Sequence, residues 1–355
     1  MRRAYAYTLV VVVCWGISLP ANKALLLAEA HGSHLSTLQA AFWGIAAGWV
    51  ALLAVLALRR RLGAILEIRP RGWVVLAAMG FFGWAGYLWA LYSAFVRIPL
   101  PDAIIINYLH PVFVVLFQGR AFGAVARLLS GWEQAGGAAR RPAFWRMGTG
   151  LALCLCGVAL IATGGRLAGF GSLGLGTGAL AALFAAFSWG VYSNLPRFIE
   201  VRPGSGDRGR GDIETWLAMT FGLLMLGAAL WVSGGAGSPS GRGTPLYLGS
   251  SGPHIVSAWA IVALMGLLPY CTGYSLWLMA LELGRRYGGA HKLPPLTYLT
   301  PVLGVLLGRT ALHELFGAGF WQGAALIAVG NLVIALPRAS PFGFAQGRRS
   351  PRPDS

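Results

Sequence analysis

Apolar residues in this chain come in long runs, and ionisable residues interrupt them almost only at their ends. Ten runs can be read: Ala4–Ala28, broken only by Lys23, then Leu35–Leu58, Gly72–Val96, Ala103–Gly119, Met147–Gly165, Leu167–Pro196, Thr215–Trp231, Ile255–Leu281, Leu293–Gly308 and Leu315–Pro337. Most reach the roughly 20 residues that cross a hydrocarbon layer, and the fourth and ninth are short. The predicted fold is an all-α polytopic membrane protein with ten transmembrane helices. The start of the sixth run, Gly169–Gly178, is rich in glycine and reads equally as loop. Arg2-Arg3 ahead of an apolar stretch resembles a signal peptide, but the stretch is too long for one and many spans follow, so the first helix is expected to be retained.

Composition agrees with the pattern. Of the 355 residues, 56% are hydrophobic and 11% charged, and the mean hydropathy is +0.64. A soluble domain carries about 25% charged residues and has no core able to hide so much apolar surface. The net charge of +17 does not point to nucleic acid here, because the basic residues sit in short loops between spans. Placing Arg2 and Arg3 in the cytoplasm and alternating ten spans puts 23 Arg and Lys inside. Only Arg97, Arg166, Arg242 and Arg309 fall outside. That asymmetry predicts a multi-pass protein of the bacterial inner membrane with both termini cytoplasmic. The four cysteines, Cys14, Cys154, Cys156 and Cys271, lie in apolar segments and read as buried space-filling thiols.

The two halves echo each other. Cys14-Trp15-Gly16 in the first span answers Ser188-Trp189-Gly190 in the sixth. Asn107-Tyr108-Leu109-His110-Pro111 in the fourth answers Thr297-Tyr298-Leu299-Thr300-Pro301 in the ninth. A half with five crossings is odd, so its copy enters from the opposite side. The expected domains are two inverted five-helix repeats, residues 4–165 (with a cytoplasmic insertion at 119–146) and 167–337. A basic cytoplasmic tail, 338–355, follows and is expected to be disordered near anionic lipid. The stretches Arg202–Asp212 and Gly234–Gly252 read as flexible connectors.

Matched, proline-interrupted short spans are the sequence pointer to a transporter site. The candidate binding residues are Asn107, Tyr108 and His110 with Tyr298 and Thr300. Pro111 and Pro301 are the expected helix breakers, each freeing a backbone carbonyl. Tyr270, Tyr274 and Trp277 share a helix face through their spacing, and Trp15 and Trp189 occupy matching places in the two halves. Lys23 is the one formal charge well inside a span, where it either snorkels or meets a carboxylate. The aromatic candidates also suit an interfacial belt, and Asn107 and Pro111 suit a structural kink. There is no Walker motif, HExxH, dinucleotide fingerprint or GxSxG, and no catalytic residue, metal or cofactor is expected.

Trp15-Gly16 with Asn22-Lys23, the run Gly178–Tyr192, and Pro301-Val302 resemble the EamA-like group of the drug/metabolite transporter superfamily. Within it, Asn107-Tyr108-Leu109-x-Pro111, Gly273-Tyr274-x-x-Trp277, Thr300–Leu303 and Phe320–Ala324 are similar to the aromatic amino-acid exporters. The resemblance implies a secondary transporter exporting small amphipathic metabolites, with aromatic or neutral amino acids as substrates. A broad-specificity drug or metabolite transporter is the alternative within the superfamily. An intramembrane lipid-modifying enzyme is the alternative from another class, but the six histidines are scattered and supply no dyad. Expected partners are the small-molecule substrate and membrane lipids, with no nucleic acid; monomer and homodimer both stay open.

Overall fold

A backbone in hydrocarbon has no water to bond to, so long apolar runs close their hydrogen bonds internally as helices. The computed structural model describes residues 1–27, 35–117, 148–150, 152–154, 156–157, 160, 176–200, 210–234, 244–247, 253–287, 293, 296–297, 299–313 and 319–335. The insertion 119–146, the tail 338–355 and Tyr298 lie outside them.

In chain order the helices are α1 (Arg2–Leu27), α2 (Thr37–Leu58), α3 (Pro70–Gly80), α4 (Gly86–Phe95), α5 (Leu100–Asn107), α6 (His110–Phe117) and α7 (Thr177–Asn194). Then come α8 (Arg210–Val232), α9 (Ala258–Met265), α10 (Tyr274–Arg286), α11 (Leu299–Leu312) and α12 (Phe320–Ala335). Among the described residues, six continuous helical runs are long and apolar enough to cross a membrane, and Asp102–Val114 and Phe320–Gly330 are shorter apolar helices. The chain is therefore a membrane-spanning helical protein.

Local sequence explains several boundaries. α2 starts on a capping box, in which the Gln39 amide donates to Ser36 Oγ (3.2 Å) and the Ser36 amide to Gln39 Oε1 (2.8 Å). α3 and α4 are one span joined by a π-helical segment, Phe81–Ala85. α9 and α10 are likewise joined by a longer one, Gly266–Gly273. Pro269 lies inside the second, where its missing N–H and its ring disfavour a regular α-turn. α5 and α6 are one span broken at Tyr108-Leu109, with Pro111 in the first turn of α6.

The helix of the sixth span starts at Thr177, after Gly176, and residues 167–175 lie outside the described residues. Pro301 takes a first-turn position in α11, which starts at Leu299, as Pro111 does in α6; Tyr298, just before that start, lies outside the described residues. The connector Gly234–Gly252 is not wholly irregular. Thr244–Tyr247 pairs antiparallel with Pro253–Val256, and the first of these strands lies against α1 and α11. Cys156 is exposed rather than buried. The third and eighth spans are not uniform α-helices.

Close approach of backbones holds the centre together. A Cβ at Gly80 would sit 2.5 Å from Phe221 Cβ, and one at Gly222 would sit 2.6 Å from Trp84 Cβ, so α3 and α8 meet glycine to helix. α2 and α8 run side by side, with Trp49 stacked on Trp216 (5.3 Å) and its Nε1 donating to Thr220 Oγ1 at 2.8 Å. One end of the bundle gathers the polar groups. There Arg61 Nη1 meets Asp212 Oδ2 at 3.1 Å, the Arg69 amide donates to the Glu200 carbonyl, and Arg197 donates to the Phe117 carbonyl at 2.7 Å.

Candidate functional site

Four neighbouring positions on α1, Trp15, Ser18, Leu19 and Asn22, follow the i, i+3, i+4, i+7 pattern and so form one stripe. That stripe lines a cavity in the middle of the bundle. α4 contributes Tyr87, Leu88 and Leu91, the α5–α6 break contributes Asn107, Tyr108 and His110, and α7 contributes Trp189. The second π segment adds Pro269 and Tyr270, and α10 adds Tyr274. None of these residues is Asp, Glu, Lys or Arg.

The floor is aromatic. Trp15 and Trp189 meet edge to face at 5.0 Å. Tyr87 packs on Trp189 at 5.2 Å, and Tyr274 packs on Trp189 at 5.0 Å and on Trp15 at 6.1 Å. Tyr274 is fixed further by stacking on Trp84 (4.0 Å) and by donating its hydroxyl to the Gly83 carbonyl (3.2 Å) within the first π segment. His110 lies 5.9 Å from Trp189 and 4.9 Å from Tyr108.

A polar cluster lies beside the rings. The Tyr92 hydroxyl donates to Asn22 Oδ1 at 2.6 Å and is in close contact with the Tyr270 hydroxyl. Since Tyr92 has one proton and gives it to Asn22, Tyr270 is the donor to Tyr92. This ties α1, α4 and the second π segment together. Asn107 Nδ2 donates to the Tyr87 hydroxyl at 3.4 Å. Trp15 Nε1, Asn107 Oδ1, His110 Nδ1 and Trp189 Nε1 are buried and have no hydrogen-bond partner among the described residues. The cavity measures about 40 Å³, room for about three waters by the usual 10–15 Å³ each. Ligand pockets run to hundreds of Å³, so helices must part before a metabolite enters.

Of the sequence candidates, the structure brings Trp15, Asn107, Tyr108, His110, Trp189, Tyr270 and Tyr274 to this one cavity. Trp277 stands behind it, 5.7 Å from Trp15, with its Nε1 donating to Ser193 Oγ at 3.3 Å. Thr300 is fully buried, and its Oγ1 has no hydrogen-bond partner among the described residues. Lys23 is buried but does not line the cavity; its neighbour Asn22 does. Sequence reading left Ser18, Asn22, Tyr92 and Pro269 off the site candidates. The stripe from Trp15 to Asn22 was available as a signal for two of them. No group of His, Cys, Asp or Glu among the described residues has the arrangement of a metal site.

No curated protein matches the chain. Solved structures do match. One of them, a crystal structure, has a TM-score of 0.55 and 20% identity, covering 93% of this chain and 96% of the other, which makes it a relative in fold. Residues 2–128, the stretch that holds α1 to α6, match the model of the EamA-like transporter family.

Proposed function

We propose that the chain is a secondary transporter that carries small amphipathic solutes across the inner membrane by alternating access, with export of aromatic or neutral amino acids as its leading role. The observation that carries this reading is the central cavity. It is walled by rings, four of its lining residues carry a buried polar atom unpartnered among the described residues, and helices from both halves of the chain form it. Rings suit an apolar side chain, while Asn107 and Tyr108, joined by Tyr298 on the sequence pattern, suit an ammonium head. No nucleotide-binding motif is present in the sequence, so gradients rather than ATP supply the drive.

Two inverted five-helix repeats underlie the proposal, and matched packing supports them. α1 packs on α11 and α10, as α7 packs on α6 and α4. α8 packs on α3, as α2 packs on the Gly266–Gly273 segment. Each half has a π segment in its third span, followed by a cavity tyrosine: Gly86-Tyr87 in one, Gly273-Tyr274 in the other. Tyr87 then packs on the tryptophan of α7, and Tyr274 on that of α1. A shared rocking axis through Trp15 and Trp189 follows from this exchange.

The activity test is counterflow of labelled aromatic and neutral amino acids in proteoliposomes without ATP, with cationic dyes run beside them. Exchange of amino acids is expected, and Tyr108→Ala and Tyr298→Ala should each lose it while reaching the membrane. Dye movement without amino-acid movement refutes the substrate, and a strict ATP requirement refutes the drive.

The topology has its own test. With both termini cytoplasmic, the exposed end of α8 at Ser233 faces the periplasm. Ser233→Cys should react with an impermeant maleimide on intact cells. Reaction only after the membrane is opened places that end inside and overturns the orientation.

A further inference from the structure

Among the described residues fourteen line the cavity and none is Asp, Glu, Lys or Arg, so the recognition chemistry they offer is hydrogen bonding without charge. Asn107 is 2% exposed, His110 4% and Trp189 2%, so their unpartnered atoms are cut off from bulk water. Trp15 Nε1 is also unpartnered, but Gly273 covers it so closely that a Cβ there would come within 2.7 Å, and it is not a solute donor. As the helices part, the groups that this lining offers a solute are the Trp189 Nε1 donor and the side chains of Asn107 and His110, each with one buried polar atom unpartnered among the described residues. Turning the Asn107 amide over changes which of its atoms bonds Tyr87, and still leaves the other free. A solute with an unbalanced charge finds no counterion among these groups. Its desolvation is then uncompensated, which costs more than any single hydrogen bond returns.

We propose that the cavity selects solutes by net charge: it takes ring-bearing solutes that are zwitterionic or neutral, and rejects the matching cations and anions. Asn107 and His110 receive the donor head of the solute, and Trp189 receives its acceptor end. The inference rests on the transporter reading above and deepens it by naming what that site discriminates. A zwitterion satisfies the set because its own carboxylate balances its ammonium, leaving the protein to supply only hydrogen bonds. The cation–π attraction of the rings does not reverse this choice. Trp15, Trp189, Tyr87 and Tyr274 pack edge-on or tilted against one another, so their faces are already partly occupied by neighbouring rings.

The test is competition against counterflow of labelled phenylalanine in proteoliposomes, using phenylalanine, phenethylamine and 3-phenylpropionate as competitors. Both charged analogues keep the ring and remove one end. Each should compete at least ~30-fold more weakly than phenylalanine, the scale on which one buried polar group left unpaired weakens binding. Competition by either analogue within threefold of phenylalanine overturns the proposal and leaves the transporter standing. Asn107→Asp supplies the missing counterion. It should raise the potency of phenethylamine relative to phenylalanine by about tenfold or more, the scale of one close charge pair. An unchanged ratio in a transporting Asn107→Asp protein removes Asn107 from the solute head. The competition series on the unaltered protein decides the charge claim even where that variant does not fold. Absence of any phenylalanine counterflow defeats the amino-acid reading itself, and this inference with it.

Discussion

Replacing Trp189 with alanine should cost about 3 kcal/mol of stability and abolish transport. The indole is 2% exposed and touches the rings of Trp15, Tyr87, Tyr192, Tyr274 and His110. In water-soluble cores a Trp→Ala change costs about 3–5 kcal/mol, made of a transfer part and a cavity part. In a bilayer the transfer part shrinks, because lipid is as apolar as the protein interior. The cavity part remains, and five rings cannot all collapse into the space. The low end of the range therefore applies. Trp189→Phe keeps most of the ring contacts and loses the N–H, so it should cost less than about 1.5 kcal/mol. Melting of the detergent-solubilised protein with transport in parallel is the measurement. A Trp189→Ala protein that melts with the parent and transports normally would mean that the rings do not pack as described.

The pattern of apolar runs carried most of this architecture. Long helices recur at Arg2–Leu27, Thr37–Leu58 and Arg210–Val232, because a charge-free run of that length has no other stable fold in lipid. The break at Tyr108-Leu109 was legible from Pro111, and Pro301 likewise sits in the first turn of the helix that starts at Leu299. The π segments were invisible. Pro269 hints at the second, but Phe81–Ala85 has only glycines around it, and the extra residue per turn arises from packing against α8 and α10. Lys23 drew notice because a charge in hydrocarbon is costly, yet the next residue back, Asn22, turned about 100° around the helix, is the one on the cavity stripe. The face of a helix decides such cases, and one charged residue does not reveal the face. The strands at Thr244–Tyr247 and Pro253–Val256 are too short for alternation to stand out from a connector rich in Gly, Ser and Pro.

The ion pair where α2 ends and α8 begins should respond unequally to the loss of its two partners. The Asp212 side chain is 2% exposed, and Arg61 is 30% exposed. Asp212 Oδ2 takes Arg61 at 3.1 Å, its Oδ1 takes the Ile213 amide at 2.9 Å, and Arg59 stands farther off at 3.9 Å with more than half its surface in solvent. Its place in the first turn of α8 also suits the positive end of the helix dipole. Arg61→Met strands a buried carboxylate that cannot reach water, and removing one partner of a buried pair costs about 3–5 kcal/mol. The Ile213 amide and Arg59 remain, so the expected cost is about 3 kcal/mol. Asp212→Asn frees a guanidinium that already meets solvent, and keeps an acceptor for the amide; about 1 kcal/mol is expected, near the worth of a partly exposed pair. Combining Arg61→Met with Asp212→Leu removes both charges and should recover much of the loss, since an apolar pair is no worse than a buried ionic one. Thermal melts of the three proteins in one detergent give the order directly. Should Asp212→Asn prove the more damaging single change, or the double variant fall at the sum of the two, the carboxylate is not the buried and dependent partner described here.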